Sequence, residues 1–248
     1  MSHLSSIGFP VNTGQDFQSL ANKLYERGER IKATNGFYIR FADNSGAELY
    51  FQENQNKEII GMNPHFRGKG KMKVCLTNAV KREGSEMDGA FHGWADPTED
   101  NNPDTGMYPF VFDVPDFYSL ENIKFPFTTT VQISAFAHEL SLYENEQDFN
   151  AKQNEKMKFA PESFIPSGLF SPGGQTTEPP EANGIFTGRI LEVEEKMNVF
   201  TKEKFYWFLV KTLGGEFDVV SDIKLISQPP KVGGIASGSF WLSGRLVS

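Results

Sequence analysis

The sequence predicts a mostly β protein: an α+β amino-terminal unit, with one long helix on an antiparallel meander, then a small carboxy-terminal β-barrel. Three observations carry this prediction. Short runs of aromatic and β-branched residues alternate with period two and are punctuated by Gly, Asn and Asp. A single early stretch, 15–31, spaces its apolar residues as a helix does. The last third, 183–247, reads as strands in quick succession with glycines at the bends.

The helix comes first. Phe17, Leu20, Ala21, Leu24, Tyr25 and Ile31 share one face, and Thr13 with Asp16 three residues later resembles a capping box. The opposite face carries Glu26, Arg27, Glu29 and Arg30, so one side packs and the other stays wet. Runs at 36–41 and 47–51, separated by a polar loop with Gly46, predict a hairpin. Further runs at 58–62, 72–80 and 87–95 extend it into a meander. Residues 96–106 form a polar loop, and 108–115, bracketed by prolines, suits an edge strand. Residues 128–143 alternate well but change phase near His138, which predicts a bulge. Residues 149–159 suit a short helix or a crossing loop.

These features divide the chain into an α+β domain (1–160), a partly packed Pro/Gly-rich linker (161–182) and a barrel domain (183–248). Phe164, Ile165, Leu169 and Phe170 are expected to pack rather than hang free. The final unit runs through 184–193, 205–211 and 216–220 to a glycine-rich closing strand at 232–247. This spacing resembles an OB-fold: a long first strand with Gly188 inside it, a Gly214-Gly215 bend, and Gly238 and Gly244 where a small barrel coils. Residues 221–228 leave room for a turn or two where many OB-folds place a helix. A weak internal echo aligns 131–140 with 184–193, and 89–94 with 238–244.

Composition bounds the function. The net charge is −8, and from residue 183 onward eight Lys or Arg stand against seven Asp or Glu, so the acidity lies earlier. That balance disfavours duplex DNA, whose phosphates demand Lys and Arg. The one cysteine, Cys75, lies in a strand-like run with no base beside it and reads as a core thiol. Without a leader-like start or an apolar span of membrane length, the expected compartment is the cytoplasm.

Candidate site residues are few. Asp88, His92 and Asp96 fall at even spacing, so one strand face would present all three for a hydrolase or nucleotide-handling reaction. Arg67, Lys69, Lys71 and Lys73, interleaved with Gly68 and Gly70, suggest an anion-binding loop. The spacing is not that of a nucleotide-binding Walker loop. On the barrel, Trp207 and Trp241 with Arg245 could serve a single-stranded nucleic acid. No metal-ligand spacing and no cofactor motif is present. The chain as a whole is similar to bacterial proteins. The leading expectation is a non-catalytic module that binds a protein or small-molecule ligand.

Overall fold

A computed structural model of the chain describes residues 2–120, 123–153, 158–169 and 179–247. The middle of the predicted linker (170–178, with Phe170) and part of the charged stretch (154–157) lie outside the described residues. The protein is mostly β, as its alternation predicts.

Helix α1 (Gly14–Leu24) begins with a complete capping box: the Thr13 hydroxyl accepts from Asp16 N (3.2 Å), and the Asp16 carboxylate accepts from Thr13 N (2.9 Å). It ends earlier than the apolar spacing predicts. A 3-10 turn at Tyr25–Arg27 leads to Gly28, which lies so close to Ile39 that no side chain fits there. The chain then leaves as strand β1 (Glu29–Ala33), which takes Ile31 out of the helix.

Strands β1, β2 (Gly36–Ala42), β3 (Ala47–Asn54) and β4 (Ile59–Phe66) form an antiparallel sheet in chain order. Strand alternation gives the sheet two distinct faces. One carries Ile39, Leu49 and Phe51, which share a core with Leu20, Ala21 and Leu24 of α1. The other carries Tyr38, Glu48, Tyr50 and Gln52; the Tyr38 hydroxyl donates to Met87 O (2.6 Å).

The predicted meander does not continue beyond β4. Strands β5 (Met72–Lys81), β6 (Gly89–Ala95), β7 (Pro109–Asp113) and β8 (Phe127–Tyr143) belong to a second sheet. Helix α2 (Glu146–Lys152) follows, and then β9 (Ser163–Ile165), β10 (Asn183–Met197), β11 (Lys204–Thr212), β12 (Gly215–Asp222) and β13 (Ile235–Val247) complete a nine-stranded sheet.

This sheet closes on itself twice. One edge of β8 pairs first with β5 and then, in parallel, with β12 through Asp218–Val220. One edge of β13 pairs first with β10 and then, in parallel, with β7 at Ser243↔Asp113. The remaining edges of β8 and β13 pair with each other from Thr130↔Val247 to Tyr143↔Ile235. The strands therefore form two circuits, β5-β6-β7-β13-β8 and β10-β11-β12-β8-β13, that share the β8–β13 pair. The pairing pattern of β5 to β8 repeats in β10 to β13. Each set supplies four strands to its own circuit and lends its last strand to the other. Circuit closure removes exposed strand edges, which otherwise invite pairing with other chains.

One hydrophobic core runs through both circuits, from Val74, Phe91, Phe112 and Ile133 to Phe186, Phe208, Phe217 and Phe240. The Phe186 and Phe240 rings stack 4.0 Å apart. Burying one such ring contributes about 2 kcal/mol. The bulge predicted near His138 is present: Ser239 pairs with Glu139 and Phe240 with Ala137, leaving His138 as the extra residue. Part of the linker packs, as expected of Phe164 and Leu169: β9 pairs with β10, and Leu169 lies against Ala90, Val111 and Ala182. Strands on both sides of the predicted boundary at 161–182 thus join one sheet.

The four-stranded sheet docks across the shared pair. His65 of β4 is sealed at this seam, its Nδ1 3.0 Å from Ser243 Oγ and its Nε2 3.1 Å from Gln132 Oε1. Burial pushes its pKa down to about 4, so the ring is neutral at pH 7. Among the described residues, no helix is long and apolar enough to cross a membrane.

Candidate functional site

The glycine-rich basic loop is the most informative of the predicted sites. Its backbone does cradle an anion, and that anion is part of the protein. Asp218 of β12 is buried and accepts from Lys69 N (2.9 Å), Gly70 N (2.9 Å), Trp207 Nε1 (2.9 Å) and Gln132 Nε2 (2.8 Å). Burial pushes its pKa up, and these donors pull it back. Gly68 and Gly70 are needed because a Cβ at either would collide with the Asp218 carboxylate or the chain beside it. The loop is therefore a clamp, and its Lys69 and Gly70 N–H groups are already used. Lys69 Nζ pairs with Glu192 (2.5 Å) and sits 5.2 Å from the Trp207 ring centre, while Arg67 Nε lies 3.8 Å from Glu48.

Beyond the clamp, Lys71 and Lys73 line a cleft of about 540 Å³ where the β6–β7 and β11–β12 connections meet. Tyr108 joins the two connections by donating to Leu213 O (2.7 Å). Lys211 enters the cleft from β11, and Asp96, Glu162 and Glu216 face it. Lys73 Nζ also pairs with Asp100 (2.8 Å). Three lysines against three carboxylates leave the lining near neutral.

The structure does not gather Asp88, His92 and Asp96 into one group. The Asp88 carboxylate accepts from Gln52 Nε2 (2.5 Å) and Asn63 Nδ2 (2.8 Å), which ties it to the four-stranded sheet. His92 Nδ1 lies 2.6 Å from Thr77 Oγ1, and burial lowers its pKa. Asp96 is exposed, has left-handed backbone (φ 46°) and belongs to the cleft. Among the described residues no group of three His, Cys, Asp or Glu side chains is placed to hold a metal ion.

Two of the tryptophans have their indole N–H groups engaged. Trp207 is buried and donates to Asp218, and Trp241 donates to Asp113 Oδ2 (2.6 Å). Arg245, on β13, is turned to the seam with the four-stranded sheet, where its charge bears on Glu48, His65 and Asp116. Its Nε is buried with no hydrogen-bond partner among the described residues. Trp94 differs. It is half-buried on β6, and its indole N–H has no partner among the described residues. It sits opposite Cys75 of β5 and Pro109 of β7, so it points out of the first circuit, away from the Val74 and Phe91 core. His92, two residues earlier, shares that outer face. Sequence reading passed over Trp94; the available signal was an indole at a strand end, directly before a long polar loop.

Comparison with protein-family models, with curated proteins and with solved structures returns no match for this chain.

Proposed function

We propose that the chain is a non-catalytic binding protein built from two OB-like barrels, with its ligand on the outer face of the first barrel around Trp94. The pairing order supports the barrel reading. Numbering each set's own four strands 1 to 4 and the strand borrowed from the other set 5, both circuits read 1-2-3-5-4 with closure onto strand 1, the Greek-key arrangement of OB-folds. Such barrels bind ligands on the face of strands 2 and 3. In the second barrel that face is β11–β12, and its Phe205, Trp207 and Leu209 are buried with the four-stranded sheet and α1. In the first barrel it is β6–β7, which carries Trp94 and His92.

The observation that carries the site is the half-buried Trp94 indole with an unpaired N–H. A flat apolar face beside a free donor suits a ring that stacks and accepts one hydrogen bond. The near-neutral cleft alongside favours an uncharged or zwitterionic ligand over a polyanion. A buried lone thiol fits a reducing compartment such as the bacterial cytoplasm. A second reading, a single-stranded nucleic acid, draws on Lys71 and Lys73 leading along β5 toward Trp94.

The test follows the three indole N–H resonances while single compounds, a neutral hexasaccharide and a (dT)12 oligonucleotide are titrated in. The expected result is that a ligand shifts Trp94 and leaves Trp207 fixed, and that Trp94→Ala weakens its binding about tenfold or more. A ligand that binds equally well to Trp94→Ala contradicts the site. Hydrolysis of simple esters or phosphates abolished by His92→Ala contradicts the non-catalytic reading.

A further inference from the structure

The four histidines are scattered in the sequence, yet two of them meet. His3 Nε2 lies 2.7 Å from His138 Nε2, and the two rings meet edge to edge, nearly coplanar, with centres 4.9 Å apart and planes within 15°. His3 also stacks face to face on Trp241, 4.5 Å apart and within 4° of parallel, with Phe136 behind it at 6.0 Å. Downstream the segment is pinned: Ile7 and Phe9 are buried, and Asn198 Nδ2 donates to Ile7 O (3.0 Å). The 3-10 turn Ser5–Ile7, with Ser6 buried and Leu4 packed on the neighbouring core, is therefore a fixed base, and the stack on Trp241 holds the short arm, residues 2–3, that precedes it.

We propose that this arm is a strap over Trp241, held by the His3–His138 pair and released by acid. A hydrogen bond between two imidazole nitrogens needs one bare acceptor. Once both rings are protonated, two N–H groups face each other and two cations repel. Other charges bear on the pair. Glu139 favours the His138 cation, and His138 disfavours the His3 cation. Asp113 accepts from the Trp241 indole N–H and is itself paired with Arg82. Burial is the largest influence and holds His3 down to about 4 from its ordinary 6.5. The freed arm takes up protons near 6.5 and the docked arm only near 4. Docking is therefore strongest above 6.5 and weakens as pH falls through that interval.

Release would matter for binding. Trp241 packs beside Ala90 and Val111 on the outer surface of β6 and β7, so the strap covers a second indole next to the Trp94 face. That consequence rests on the ligand site proposed above; the strap itself does not.

The test uses the full chain without ligand, so its outcome is independent of the Trp94 reading. Indole and imidazole ¹⁵N spectra are recorded from pH 7.5 to 4.5. The Trp241 indole resonance is expected to move together with titration of His3 and His138, the docking constant falling by roughly 100-fold. His3→Phe, which keeps a ring on Trp241, is expected to remove the pH dependence. His3→Ala is expected to show the acid position at pH 7.5. A Trp241 resonance that stays fixed across the interval, or that is unmoved by His3→Ala, overturns the proposal.

Discussion

Replacing Asp218 with Ala is expected to cost about 4 kcal/mol, read as a lowered urea midpoint. Asp218 receives hydrogen bonds from two loop amides, an indole and a side-chain amide, and all four donors are buried with it or turned onto it. Removing the carboxylate leaves these donors without an acceptor, which costs far more than one ordinary hydrogen bond contributes. The damage should spread, because Asp218 joins the 67–71 loop, β8 through Gln132, and β11 through Trp207. Asp218→Asn keeps the shape but turns an amide donor toward other donors, so an intermediate loss is expected. Glu192→Ala is the control. It removes the exposed partner of Lys69, a pair with side chains 62% and 44% accessible, and should change stability by less than about 1 kcal/mol.

The second large effect is expected at Gly238. A Cβ there would press into the backbone carbonyl of Glu139, inside the β8–β13 pair. A carbonyl in a strand ladder cannot rotate away as a side chain can, so the two shared strands must separate. Gly238→Ala should cost about 3 kcal/mol. Because the pair closes both circuits, near-ultraviolet circular dichroism should report the loss of packing around residues of both, not of the second alone. Gly14 provides the contrast. A Cβ added there would meet nothing within 4 Å, so Gly14→Ala should be neutral or slightly stabilising.

Local elements were legible because their causes are local. The Thr13–Asp16 box announced the start of α1, and alternation marked the long strands. The end of α1 is hidden in the sequence because Tyr25 and Ile31 continue the helical spacing by coincidence; Gly28, crowded by Ile39, stops the helix. Pairing was not legible. The parallel contact of Val219 with Ala135 joins residues far apart in the chain and leaves no periodic trace near either. The internal echo aligned β8 with β10, whereas the pairing pattern equates β8 with β13 and β5 with β10. Glycine-aromatic alternation suits any coiled strand, so it cannot say which strands correspond. The length of β8 is the one local trace of its double pairing: it spans 17 residues, far more than an ordinary strand.

The same division holds for the sites. Glycines between lysines mark a backbone open to close approach, but Asp218, the carboxylate that takes the Lys69 and Gly70 N–H groups, lies in a distant strand. The even spacing of Asp88, His92 and Asp96 implied one face. Asp88 precedes β6 and Asp96 follows it with left-handed backbone, so alternation applies to neither end. Trp207 and Trp241 were attractive as aromatics on the barrel. Each donates its N–H to a buried or half-buried carboxylate, a pairing only the fold creates.

Two strand circuits share one strand pair, β8–β13, and should unfold as one unit. Differential scanning calorimetry of the full chain, read with amide hydrogen exchange, tests this most directly. Circuits joined in this way should give a single transition whose calorimetric and van't Hoff enthalpies agree, with amides of β5, β8, β10 and β13 protected to the same global limit. Two separate transitions, with 183–247 losing protection independently of β5 and β8, would contradict it.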